Sequence, residues 1–451
     1  MIPWDANYSR VGGQHKPPKA ACVDVAGPLG WNGAFKREAR HLSKMQIAVA
    51  AMFLQQTCGS VGRVLPAVLA PLIIAELHAD PAWVGIYFGL TAIAALVGQL
   101  GSGGFIIRHG AIRMSQVALL SVGGGMAVAV IGGAAGFVLS ALVGNGGAAV
   151  ATPASSQLLG RWAVRRYAPF AFSITQTAIP AGILLGGWLG PPIAQSLGWR
   201  GTMLVSAAAC WVFALLLQPL HGRLDTERTP NHAIHLSDFV TTVTGVLRVH
   251  ELRGLSFACF AFNGLQSVFT AYFVTYLTAL GYNLVTAGAL FSTVIAIAIP
   301  CRILWGWIGS FYIAPRLVLS GLAFGMAGSV VLTGAITTAW SVLAIGVVTG
   351  ALSATAMSWH GILLSESARL APVGRAGLVT GGVLSFGQMG AFLCPSVFSL
   401  LLRVTGGYAA GWTACAIPAI LVGVILLDRR VGRGQADQPK FAGPADGDQP
   451  R

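Results

Sequence analysis

Along the chain, long apolar stretches alternate with short clusters of charge, Gly and Pro, and within each stretch the apolar residues are continuous rather than every second one. A run of about 20 apolar residues has the length of a bilayer-crossing helix; a membrane barrel instead needs strict in-out alternation. Six runs lie at about 45–76, 82–107, 112–134, 136–160, 168–195 and 200–220, and six more near 254–280, 284–309, 314–334, 338–365, 374–402 and 406–428. The pattern predicts an all-α membrane protein with twelve transmembrane helices. The longest polar stretch, His221 to Leu252, separates the two sets. The expected organisation is therefore a tail over 1–44, a six-helix bundle over 45–220, a linker over 221–252, a second bundle over 253–428 and a tail over 429–451.

Composition agrees, since 55% of the 451 residues are hydrophobic and 9% charged, where a soluble domain carries about a quarter charged residues. The net charge of +14 would suggest nucleic acid in a soluble chain, but its placement argues otherwise. Apart from Arg63, Arg200, Arg302 and Arg403, every Lys and Arg lies in a tail, in the linker or in alternate loops. That asymmetry follows the positive-inside rule. It places both termini and the linker in the cytoplasm and the 77–82 and 195–200 turns outside. Residues 1–44 hold no apolar stretch before a small-residue cleavage site, so they read as a cytosolic tail rather than a signal peptide. The seven cysteines are scattered, with no CxxC pair, and read as packing residues. No metal cluster, cofactor motif or nucleophile beside a base is visible, so the expected partners are the lipid bilayer and a small molecule, for a chain working as a monomer.

An internal repeat supports the two halves. Gly103-Gly-Phe-Ile-Ile-Arg108-His-Gly110-Ala-Ile-Arg113 follows the second segment, and Gly306-Trp-Ile-Gly-Ser310-Phe-Tyr-Ile-Ala-Pro-Arg316 follows the eighth at an offset of 203. Such repeats put a cavity near the midplane between two bundles, the layout of a secondary transporter. The loop is similar to the signature loop of the major facilitator superfamily: Gly103, Arg108, Gly110 and Arg113 match it. Ile107 stands where the family has an acidic residue, and Ser310 does so in the second copy. The resemblance implies two pseudo-symmetric six-helix bundles, alternating access, and a gating role for Arg108, Gly110 and Arg113.

Ionisable residues inside a bilayer are costly, about 2.5–3.5 kcal/mol for a central Arg on insertion scales, and so are functional candidates. Arg63 sits in the first segment among Cys58, Gly59, Ser60 and Gly62, just before Pro66, and Arg302 sits in the eighth, one turn before Gly306. The 203 offset pairs Arg63 with Gln266 and Arg302 with Gln99. Each Arg thus departs from the repeat, which a purely architectural role would not require. The bland alternatives are that Arg302 snorkels to the cytosolic interface and that Arg63 bonds a carbonyl freed by Pro66. No Asp or Glu lies inside the twelve segments away from their ends, so the simplest partner for two buried guanidinium groups is an anionic substrate.

Arg302-Ile-Leu-Trp-Gly306 resembles the eighth-segment pattern of the monocarboxylate and oxalate-type branches, which implies that Arg302 meets a substrate carboxylate. Thr355-Ala-Met-Ser-Trp359-His360-Gly361 and Glu366-Ser-Ala-Arg369 are similar to a tenth-segment pattern of bacterial organic-anion-like facilitators, with His360 where Asn is usual. His360 is either a core histidine or a donor and proton relay. Glu366 and Arg369 read as a gate pair. Gln56, Gln176, Asn263 and Gln266 complete the candidate substrate set, each explained equally well by interhelical bonding. Gly182, Gly186 and Gly190 on the fifth segment resemble an antiporter motif, and close packing explains them as well.

The leading expectation is a bacterial inner-membrane transporter for a small organic anion, a carboxylate first, with a coupling proton or counter-anion. The alternative is an exporter of drugs or other hydrophobic compounds. A membrane enzyme or sensor is the third class, with no motif to support it.

Overall fold

The computed structural model describes residues 28–78, 82–225, 228–229, 237–282 and 284–427. Residues 1–27 of the expected N-terminal tail, the whole tail over 429–451, residues 79–81 of the first outer turn, and 226–227 and 230–236 of the linker lie outside the described residues. All packing considered below is within the compact unit Leu42–Arg451.

Among the described residues the secondary structure is helical, without strands. The first expected segment is α1 (Pro28–Val68) and α2 (Ala70–Leu77), broken at Leu69 after Pro66, because proline withdraws a backbone donor from the helix. α1 starts well inside the expected tail, since Phe35 to Leu42 contains neither Gly nor Pro and nothing there interrupts helix propagation. Next come α3 (Ala82–His109) and α4 (Ala111–Ala129). The fourth segment runs through α5 (Gly133–Ser140), a π-helical turn (Ala141–Asn145), α6 (Gly146–Ala148) and α7 (Ala151–Trp162). The fifth and sixth are α8 (Ala168–Gln176), α9 (Ala178–Leu216) and α10 (Gln218–Leu224). α9 bends at Gly198, whose φ of 67° and ψ of 174° are not helical, at the expected outer turn.

The linker carries α11 (Ser237–Arg248), with Val246 and Thr242 buried. The second half comprises α12 (His250–Ala279), α13 (Leu284–Phe311), α14 (Pro315–Gly334), α15 (Val342–Ala356), α16 (His360–Leu370), α17 (Ala376–Thr405) and α18 (Tyr408–Leu427). By length and composition, 10 helices among the described residues can cross a membrane. One of them, Ala168–Leu224, has 57 residues and contains the Gly198 bend, so it covers two expected segments. The first expected segment is absent from the ten because Gln55, Gln56 and Arg63 interrupt its apolar run.

Within each half, small residues bring helices together. Gly182, Gly186 and Gly190 press against α1, where a Cβ on Gly182 would sit 2.6 Å from the Ser60 Cβ and one on Gly190 2.9 Å from Leu65. Close packing is what that glycine stripe does here. Between the halves, α3 and α7 meet α17, and α8 meets α13 and α16. These contacts gather at one end, where α3, α7, α13 and α16 finish and α8 and α17 begin. Arg108, Arg113, Arg161, Arg316, Arg369 and Arg375 lie there too, and it is called the arginine-rich end below.

Candidate functional site

Two broken helices create the first cluster. α15 stops at Ala356 and α16 resumes at His360, while α8 stops at Gln176 and α9 resumes at Ala178. A break frees carbonyls that an unbroken helix would satisfy, and in an apolar surrounding a free carbonyl needs a donor. Arg302, on α13 and 5% exposed, supplies it. Its Nε donates to the Met357 carbonyl at 2.6 Å and its Nη1 to the Gln176 carbonyl at 2.6 Å. Met357 belongs to the second half and Gln176 to the first, so one guanidinium ties together both breaks. Nη2 makes no hydrogen bond among the described residues. Arg302 therefore does not snorkel to an interface; its donors are turned inward.

The same seam holds α13 to α15 through Ser353 Oγ to the Val294 carbonyl at 2.6 Å and Trp305 Nε1 to the Ala354 carbonyl at 2.9 Å. Gly306 and Gly361 leave no room for a side chain, since a Cβ on either would strike the Ser173 hydroxyl of α8. His360 stacks on Trp359 with centroids 3.7 Å apart. Its Nδ1 is buried without a partner, as are Gln176 Oε1, Gln99 Oε1 and Gln266 Oε1, and it lies within electrostatic reach of Arg302. Asn263 is otherwise engaged, its Nδ2 donating to the Gly387 carbonyl at 2.8 Å.

The second cluster lies wholly in the first half. Gln56, Ser60 and Arg63 recur at helical spacing on one face of α1, opposite α4, α7 and the start of α9. They line a small cleft of about 20 Å³ together with Gln55, Gly59, Leu119, Val122, Thr152 and Ile179. Gln55 and Gln56 are 1% and 4% exposed, yet Gln55 Oε1 and both polar atoms of the Gln56 amide have no partner. Arg63 is exposed to the cleft and has no hydrogen-bond or ion-pair partner among the described residues; the Tyr87 hydroxyl is within electrostatic reach. No acidic residue lines the cleft. The expected substrate set is thus divided. Arg63 and Gln56 share one lining, Arg302, Gln176 and His360 share the seam, and neither Arg appears in the other's surroundings.

The family model of the Major Facilitator Superfamily matches residues 52–369. The chain belongs to that superfamily. It is accordingly a multi-pass membrane transporter for small molecules, with the all-α fold expected from the hydrophobic pattern. The nitrite extrusion protein of Bacillus subtilis (strain 168) is 24% identical over 255 residues, covering 54% of this chain and 60% of that relative. The match thus spans less than two thirds of the relative's length. Among solved structures, the human organic anion transporter MFSD10 superposes with a TM-score of 0.68 at 17% identity, covering 85% of this chain and 99% of the other. The fucose:proton symporter of E. coli does so with a TM-score of 0.65 at 14% identity, covering 85% and 98%. At these identities the likeness is one of fold.

In this superfamily member the signature loop is completed from a distance. Gly110, with φ of 93°, turns the chain into α4, a conformation that side chains with a Cβ resist. The carboxylate absent at position 107 is supplied at the start of α4 by Asp225, from the beginning of the linker. Asp225 accepts from the Ile112 N–H at 2.9 Å and the Arg113 N–H at 3.2 Å, and from His221 Nδ1 at 3.0 Å. An acidic side chain there caps free N–H groups and meets the positive helix end. Sequence reading missed Asp225 because it lies 112 residues after Arg113. Arg113 also reaches Gln116 Oε1 at 3.2 Å, while Arg108 is exposed. Glu366, 6% exposed, accepts two bonds from Arg369, at 2.8 and 2.6 Å, within α16.

Proposed function

We propose that this chain is a secondary transporter for a small anion with two oxygens in one plane, such as a carboxylate, nitrite or nitrate. It works by alternating access across a bacterial inner membrane, with the arginine-rich end and both termini in the cytoplasm. Arg63 carries this reading: a guanidinium inside the first half, open to a cleft, without a hydrogen-bond or ion-pair partner among the described residues, and flanked by Gln55, whose Oε1 is unpaired, and Gln56, whose amide is unpaired at both polar atoms. Leaving buried polar groups unpaired costs a protein stability, so such a group persists where a ligand completes it. A guanidinium fork matches a planar pair of oxygens with two parallel bonds, and no carboxylate in the cleft competes for it. The nitrite extrusion relative and the organic anion transporter neighbour support an anion. Gln55 and Gln56 orient it. Arg108, Gly110, Arg113 and the Glu366–Arg369 pair belong to the gate.

The test is uptake of labelled nitrite, nitrate, formate, acetate and oxalate into proteoliposomes, with and without a pH gradient and with each anion preloaded as counter-substrate. Saturable uptake of at least one, competed by the others, is expected. Uptake of hydrophobic cations or neutral drugs with none of the anions transported would overturn the proposal.

A further inference from the structure

The signature loop carries Ile107 where the family has a carboxylate, and Ser310 at the same place in the second copy. Ser310 still makes an inter-half contact: its Oγ accepts from the Phe170 N–H at 2.9 Å, in the first turn of α8. Ile107 has no side-chain acceptor to offer. Yet the first turn of α17, the repeat counterpart of α8, is not left open. Gln157, on α7, accepts from the Gly377 N–H through Oε1 at 2.7 Å and donates from Nε2 to the Gly374 carbonyl at 2.6 Å. N–H groups in a first helical turn have no intrahelical acceptor, so Gln157 and Ser310 each satisfy a donor that only the other half can reach.

The surroundings make these contacts tight. A Cβ on Gly377 would stand 2.9 Å from the Pro153 carbonyl, and one on Gly160 2.9 Å from the Ala376 Cβ. Gly374, with φ of 74°, holds the left-handed turn that aims its carbonyl at the amide. Backbone therefore meets backbone across the seam at the arginine-rich end, with one glutamine spanning both sides of the turn. At the opposite ends of α12 and α17, by contrast, Tyr272, Ser396, Ser399 and Arg403 line an open cleft.

We propose that Gln157 is a latch between the halves at the start of α17, where Ile107 offers no acceptor, and that Gln157 and Ser310 together set how long the arginine-rich end stays closed. This rests on the alternating-access reading above. The latch breaks when that end opens, since α7 and α17 then separate, and its strength weights the two end states against each other.

Hydrogen–deuterium exchange of the full chain in lipid nanodiscs, without substrate, tests it. Gln157→Ala removes two hydrogen bonds from the closed state and is expected to shift the balance about tenfold towards opening. Peptides covering 168–176 and 376–384 should exchange faster, and peptides covering 272–279 and 395–405 slower, because closing one end opens the other. Ser310→Ala should move the same peptides in the same directions by less. Gln157→Glu keeps an acceptor for the Gly377 N–H and a negative charge at a helix start, so its exchange should stay near that of the unmodified chain. Faster exchange confined to 374–381, or a Glu variant that opens as far as the Ala variant, would refute the latch. Because no anion is present, a reciprocal response stands even where none of the tested anions is transported, and anion uptake without it leaves the transport proposal intact while removing the latch.

Discussion

Arg63 and Arg302 carry the same signal in the sequence: an arginine inside an apolar segment, beside glycines, opposite a glutamine in the other half of the repeat. In the fold they are opposites. Arg302 spends two donors on carbonyls freed by two helix breaks, at 2.6 Å each, whereas Arg63 faces a cleft with no partner among the described residues, beside the unpaired Gln55 Oε1 and Gln56 amide. The bland readings are exchanged, since it is Arg302 that bonds freed carbonyls. A buried charge with its donors satisfied serves the architecture, and one with its donors free has them to offer to a ligand. The two share a residue type and differ in depth, Arg302 being 5% exposed and Arg63 exposed to the cleft, and in whether freed carbonyls take up the donors.

The sharpest way to break this comparison is to neutralise each arginine in turn and read binding and stability separately. Arg63→Gln should lower affinity for the transported anion by a factor of thirty or more, in line with the loss of about 2–5 kcal/mol when one member of a desolvated charge pair is removed. The thermal midpoint in detergent should hardly move, because Arg63 makes no hydrogen bond or ion pair among the described residues. Arg63→Lys should recover part of the affinity, a point charge being unable to reproduce the fork. Arg302→Gln should do the reverse. It leaves the Met357 and Gln176 carbonyls without a charged donor, a loss of about 3 kcal/mol or more at roughly 1.5–3 per charged hydrogen bond, seen as a lower unfolding midpoint and reduced yield. Equal affinity losses with unchanged midpoints for both variants would erase the distinction.

The two regions also differ in how legible they were. The helical architecture follows from run length alone, because a bilayer accepts little else, and the repeat at an offset of 203 pairs the loops correctly. The turn expected at 195–200 appears as the Gly198 bend, and Glu366 and Arg369 pair within one helix turn, both local features. What the pattern does not contain is anything that depends on which helices touch. Asp225 capping α4, Gln157 capping α17 and the two carbonyls on Arg302 join residues about 50 to 220 positions apart. Gln157 has no neighbour in sequence that marks it, and Asp225 sits in a polar linker where one more carboxylate is unremarkable. The break at 357–359 carries no proline, so the Met357 carbonyl that claims Arg302 was invisible as well, whereas Pro180, four residues after Gln176 and without an N–H, marks the Gln176 carbonyl as one an unbroken helix could not satisfy.

A smaller effect separates the seam from the cleft by pH. His360 is the histidine of the seam whose Nδ1 has no partner, and it lies near Arg302 rather than Arg63. If it passes a proton during transport, His360→Gln flattens the dependence of uptake on pH. Anion affinity at a fixed pH should change little. An active variant with an unaltered profile would take His360 out of the mechanism and leave exchange with a counter-anion, or a proton carried on the acid itself.

The smallest predicted effect is the most particular to the cleft. Gln56 is 4% exposed and neither polar atom of its amide is paired, so the free protein bears the cost of desolvating it without return. Replacing both partners of a hydrogen bond by apolar groups is often neutral for stability, and here no partner exists to be orphaned. Gln56→Leu, close in volume, should therefore leave the unfolding midpoint unchanged or raise it. If the amide's work is to donate to the anion held by Arg63, the same change should weaken binding several-fold, at about 1 kcal/mol per neutral hydrogen bond. In an Arg63→Gln background it should add little, because a misplaced anion no longer reaches the amide. The matching change on α12 in the second half, Gln266→Leu, removes an oxygen that is likewise unpaired but does not line the cleft, and should leave affinity within twofold. Should Gln56→Leu bind as well as the parent while Gln266→Leu does not, the anion would sit against the second half of the molecule, and Arg302 rather than Arg63 would be the residue that holds it.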